Sequence, residues 1–128
     1  MADATATADQ LGIRQQFDQV VFRSKQVVST LVQAVSHYGY ANFSRYCGTT
    51  PPGISRNAYG LLGSASVLIE MRGDIGQKAN GYIAKTAYVA AASVIDALAD
   101  GSLSRADVSL AEGLRLTPGE TGCPPADE

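Results

Sequence analysis

Glu70 stands at the end of a short, mostly apolar run, Ala65-Ser66-Val67-Leu68-Ile69-Glu70-Met71, with Arg72 two residues beyond it. A carboxylate at the end of a strand can take a proton from water or substrate and return it later, which is general acid–base work. The same side chain can also pair with Arg72, its same-face neighbour at period two, or end a strand in solvent. Upstream, Ser55-Arg56-Asn57-Ala58-Tyr59-Gly60-Leu61 supplies three further polar groups. The planar guanidinium of Arg56 suits a substrate carboxylate. Asn57 can hydrogen-bond a peptide backbone or serve its own turn. Tyr59, like Tyr46, is either a phenol over a substrate or an aromatic ring that fills space while its hydroxyl finds a partner.

Other chemistries find less support. The chain has one histidine, His37, and two cysteines, Cys47 and Cys123. These three show no recognised metal-ligand spacing, and a catalytic zinc generally needs three protein ligands. His37 falls on the last turn expected of a helix, where it complements the C-terminal dipole. With a single histidine, serine- and cysteine-type triads lack support. Gly60-Leu61-Leu62-Gly63 precedes the apolar run instead of following it, the wrong order for a phosphate-binding loop. The two cysteines can form one disulfide or remain separate thiols, so the compartment stays open.

Composition agrees with one globular domain or part of one. The chain has 128 residues, a net charge of -2 and 45% hydrophobic residues, all ordinary for such a domain. Its ten Lys and Arg residues are scattered, a poor electrostatic footprint for nucleic acid. No window holds eighteen uninterrupted apolar residues, and the N-terminal Met-Ala-Asp-Ala-Thr-Ala-Thr-Ala-Asp-Gln lacks basic and apolar regions, so neither a signal peptide nor a membrane span is expected.

The elements that must position Glu70 follow from periodicity. Across residues 7–38, Ile13, Phe17, Val20, Val21, Val27, Val28, Leu31, Val35 and Tyr38 recur at three- and four-residue steps, the stripe of an amphipathic helix. Thr7 and Gln10 form a capping-box pair, and Gly39 offers a stop. Residues 40–63 are rich in Gly, Pro, Ser, Asn and Thr and read as a long loop, usually functional or disordered. Residues 65–71, bounded by Gly63 and Gly73, read as a buried strand, with a buried helical turn as the competing assignment. A second stripe through Ile83, Ala87, Ala90, Ala91, Val94 and Leu98 predicts a helix over 77–100, ended by Asp100-Gly101. Residues 101–128 read as a tail, with a short helix from Ser104 through Glu112.

Two long helices and one strand do not make a complete sheet, because a lone strand leaves its backbone groups unsatisfied, and Leu114-Arg115-Leu116 is too short a partner. The remaining strands are therefore expected in a missing N-terminal portion or a second copy of the chain.

One resemblance ties these features together. Ser55-Arg56-Asn57-Ala58-Tyr59-Gly60-Leu61, then Ser66-Val67-Leu68-Ile69-Glu70-Met71-Arg72-Gly73, then a long helix, resembles the end of the catalytic domain of carboxypeptidase A-like zinc carboxypeptidases, over residues 47–100. It implies an α/β fold, the C-terminal part of a mixed-sheet domain with two long helices flanking one strand. It also implies that Glu70 is the catalytic general base and that Arg56, Asn57 and Tyr59 lie beside the substrate. The mobile tyrosine of that family corresponds to Tyr46 or Tyr59, with no choice between them. Its arginine for the terminal carboxylate comes from an upstream region, so Arg56 does not inherit that role.

Zinc in that family is held by a His-x-x-Glu pair and a later His, all upstream of the catalytic strand. The resemblance therefore implies zinc in the complete domain but none bound tightly by this chain, and a peptide C-terminus as the partner of the complete enzyme. The expected activity is hydrolysis of C-terminal residues from peptides, absent from the isolated chain. No nucleic acid or membrane partner is expected. A noncatalytic helical protein, working through oligomerisation or interaction, is the alternative from a different class.

Overall fold

A computed structural model describes residues 4–38, 42–45, 53–71 and 80–117, with the side chains of the first helix described from Asp18 onward. The elements in chain order are α1 (Ala4–Ser36), α2 (Ser55–Leu61), α3 (Asn80–Ala99), a 3-10 turn (Leu103–Arg105) and α4 (Ser109–Glu112). Helix α1 is the axis of the molecule, with α2, α3, the 3-10 turn and α4 all packed against it.

The apolar stripe explains this arrangement. Leu31, Val32 and Val35 of α1 form the core with Ala90 of α3, and Val27, Val28, Phe43, Val89, Val94 and Leu114 pack around them. Ala90 has no bulk beyond Cβ, so α3 can lie close to α1 where α1 presents its branched side chains. Val20 on α1 and Ala111 on α4 are buried as well. The stripe is narrower than its spacing predicts, because Val21 and Tyr38 are about half exposed, and Leu98 on α3 about two-thirds exposed. Two polar residues lie inside it instead. Gln26 donates its amide to the carbonyls of Ser104 (2.8 Å) and Ala106 (3.5 Å), and Ser29 Oγ accepts the Ala111 N–H at 3.1 Å. Both polar side chains bind the C-terminal turns to α1, because buried polar groups must find partners.

Glycine ends two helices. Gly63 (φ +88°) follows α2, donating its N–H to the Gly60 carbonyl at 3.0 Å, while Ser64 N–H reaches the Tyr59 carbonyl at 3.1 Å. This double bond pattern around a left-handed residue satisfies carbonyls at the helix end. Gly101 (φ +76°) ends α3 where the sequence places a stop. The following Ser102 N–H is taken by Asp100 Oδ1 at 2.7 Å.

The expected α/β architecture is not what the chain adopts. The described residues are mostly helical and hold no sheet, and residues 64–71 belong to no strand or helix. Period and composition favour a strand there, but a strand exists only through a ladder with a neighbour, and none bonds to residues 67–71 among the described residues. Among the described residues the one pairing is an isolated parallel bridge between Arg45 and Leu116. In it Arg45 N–H donates to the Arg115 carbonyl (2.9 Å), and Thr117 N–H donates to the Arg45 carbonyl (2.7 Å).

Within the expected loop at 40–63 the chain forms α2, too short for apolar periodicity to reveal. The short helix expected from Ser104 divides into the 3-10 turn and α4. Ser104 caps neither, since its hydroxyl donates to the Gly101 carbonyl at 3.0 Å. Helix α3 is long and apolar enough, by length and composition alone, to cross a membrane. Packing on another helix also selects such a composition, and Val89, Ala90 and Val94 pack on α1.

Candidate functional site

Residues 66–71 form one wall of an open groove of about 1250 Å³. Its floor is the apolar face of α1 at Val28, Leu31 and Val32, and its far side comes from residues 42–45 and the segment around Leu114. The 66–71 wall is tethered to α1 at one point, where Ser66 N–H donates to Ser24 Oγ at 3.1 Å. Leu68 and Ile69 remain more than two-fifths exposed.

Glu70 lines this groove and is exposed. Among the described residues it has no hydrogen-bond or ion-pair partner, and Arg72, the alternative partner read from the sequence, lies outside them. Its carboxylate is thus open to water and to anything entering the groove. Arg56 lines the same groove.

Asn57 and Tyr59 behave differently. Asn57 Oδ1 accepts from Arg56 Nε (3.0 Å) and Nη2 (2.6 Å), so these two expected substrate ligands bind each other. Tyr59 is 60% exposed and, like Asn57, lies outside the groove lining. Tyr46, Cys47 and Cys123 lie outside the described residues.

The structure adds charged groups that the sequence does not single out. Lys25 Nζ lies 2.8 Å from Glu112 Oε1, joining α1 to α4 at the groove. Arg45 lies on the groove and directs Nε to the Leu114 carbonyl at 3.1 Å. Lys25 and Glu112 are 87 residues apart, a separation at which sequence spacing carries no signal.

Among the described residues no three His, Cys, Asp or Glu side chains come together. His37 follows the end of α1, its ring edge-on to that of Tyr38 at 5.8 Å between centroids, and the Lys85 ammonium sits over the Tyr38 ring, 4.7 Å from its centre. This is a cation–aromatic cluster. No step through a metal is therefore derived from these side chains.

No family model, no curated protein and no solved structure matches the chain.

Proposed function

We propose that the chain is a catalytic segment related to the C-terminal part of zinc carboxypeptidases, contributing Glu70 as general base to hydrolysis of C-terminal residues from peptides. The observation that carries the reading is the placement of Glu70, exposed on a groove large enough for a peptide and shared with Arg56. The Arg56-Asn57 and Leu68-Ile69-Glu70-Met71-Arg72 pattern supports the same assignment from sequence.

In this reading the carboxylate of Glu70 accepts a proton from water at the groove and returns one to the leaving amine. Arg56 supplies positive charge on the same groove, and Asn57 acts by fixing that guanidinium instead of binding substrate. Zinc would be held by residues outside this chain, and the isolated chain is expected to be inactive for want of them. The test is expression of the complete open reading frame containing the chain, assayed for zinc-dependent release of the C-terminal residue from a blocked dipeptide. Activity abolished by Glu70→Gln with folding intact supports the proposal. Undiminished activity in that variant, or a complete frame that starts at Met1 and shows none, overturns it.

A second reading has its own observation. Leu62, Tyr88, Ile95 and Leu98 are each about two-thirds exposed or more, and the last three lie on α3, where a partner helix could cover them. That favours a helical interaction or oligomerisation protein. Sedimentation of the purified chain separates the two, a discrete oligomer without peptidase activity in the full gene product favouring the second.

A further inference from the structure

Beside the groove that carries Glu70 lies a second, open pocket of about 360 Å³, lined by Arg23, Gln26, Val27, Ala65, Leu98 and Leu103 together with Gly101 and Ser104. This volume is in the range of small-ligand sites. Its walls are mainly apolar, from Val27, Ala65, Leu98 and Leu103. Two polar groups meet them from successive turns of α1, because positions 23 and 26 are three residues apart and share a helix face.

The first is the Arg23 guanidinium. Arg23 is exposed and, among the described residues, has neither an ion pair nor a hydrogen bond. The second is Gln26, only 5% exposed. Its Nε2 is committed to the Ser104 and Ala106 carbonyls. Its amide oxygen has no donor among the described residues, yet no buried side-chain polar atom is left sealed without a partner.

We propose that this cavity binds a small amphiphilic carboxylate, its apolar chain among Val27, Ala65, Leu98 and Leu103 and its carboxylate on Arg23. The charge pattern selects the occupant. A guanidinium that has no partner among the described residues, beside an apolar hollow, complements an anion with a hydrocarbon tail, since the fork of donors satisfies a carboxylate while the tail removes apolar wall from water. A neutral alcohol of the same length would bury the same tail without satisfying the cation. A cationic amphiphile would place like charges together.

The test is titration of the full chain with sodium octanoate, followed by amide chemical shifts, with octanol as the neutral comparison. The site predicts saturable binding, with shifts centred on Val27, Leu103 and Ser104, and octanoate bound about tenfold more tightly than octanol. Arg23→Gln removes that preference and leaves octanol binding unchanged. Leu103→Trp fills the cavity and abolishes both. Should Leu103→Trp fail to fold, the exposed Arg23 position still decides the matter. Absence of saturation, shifts confined to the 66–71 groove, or an octanoate preference that survives Arg23→Gln each overturns the proposal.

Discussion

The Arg56 guanidinium closes on the Asn57 side-chain oxygen through two of its nitrogens, at 3.0 and 2.6 Å. Adjacent residues on a short helix thereby hold a cation in one orientation on the groove that also carries Glu70. Such charge-assisted bonds are among the stronger polar contacts in proteins, and both partners are half-buried. Asn57→Ala should remove these two bonds and cost about 1 kcal/mol of stability. Urea unfolding measures the cost, and a midpoint unchanged from wild type would show that other contacts hold the guanidinium.

Val35 is the most deeply buried large side chain among the described residues, at 2% exposure. It sits where α1 meets α3. Val35→Ala removes two methyl groups from this small core and should destabilise the chain by about 2 kcal/mol, through lost burial and the cavity left behind. Thermal and urea unfolding should agree on the size of the loss.

Ser29 is a polar residue inside the apolar stripe, with its hydroxyl accepting the Ala111 N–H at 3.1 Å. Ser29→Ala keeps the packing volume but strands a buried backbone donor. The expected cost is about 1–3 kcal/mol, larger than for an exposed serine. Amide exchange at Ala111 should accelerate in parallel, and unchanged exchange there would contradict the role assigned to Ser29.

Lys25 and Glu112 form an ion pair whose side chains are 40% and 53% exposed. Solvent screens a pair of this kind, so Lys25→Ala should cost less than about 1 kcal/mol, and the cost should shrink as salt is raised. A double-mutant cycle with Glu112→Ala, run at low and high salt, isolates the coupling.

Two aspartates couple folding to acid. The Ser102 hydroxyl, followed by its backbone N–H, holds the Asp100 carboxyl below its ordinary value of 3.8. For Asp107 the same effect comes first from the Ser109 N–H and next from its hydroxyl, both at 2.9 Å. Because the folded chain favours the charged forms, their contribution is present above the unfolded value. It is lost as pH falls through the lowered folded values. Between about pH 5 and about pH 2, wild type should therefore lose more stability than an Asp100→Asn/Asp107→Asn double variant. Parallel acid-unfolding curves for the two proteins would remove this linkage.

Helices were legible in the sequence because their cause is local. The spacing of Leu31 and Val35 marks the buried face of α1, the alanines around Ala90 mark a helix that can pack closely, and Gly101 marks where it stops. Glu70 and Arg56 were also recognisable as candidates from residue type and flanking pattern. Nothing local, however, distinguishes Asn57 as a ligand of substrate from Asn57 as a ligand of Arg56, since both use the same amide oxygen.

What the amino-acid order determined by itself was therefore the set of helix-forming stripes, their glycine stops and the identity of the groups able to act as base and cation. Only the tertiary arrangement decided that residues 64–71 stay outside any sheet, that Arg45 bridges to Leu116, and that Lys25 meets Glu112 across 87 positions. The reason is physical: a helix satisfies its backbone within a few neighbouring residues, whereas a strand, a bridge or an ion pair depends on a distant segment arriving beside it.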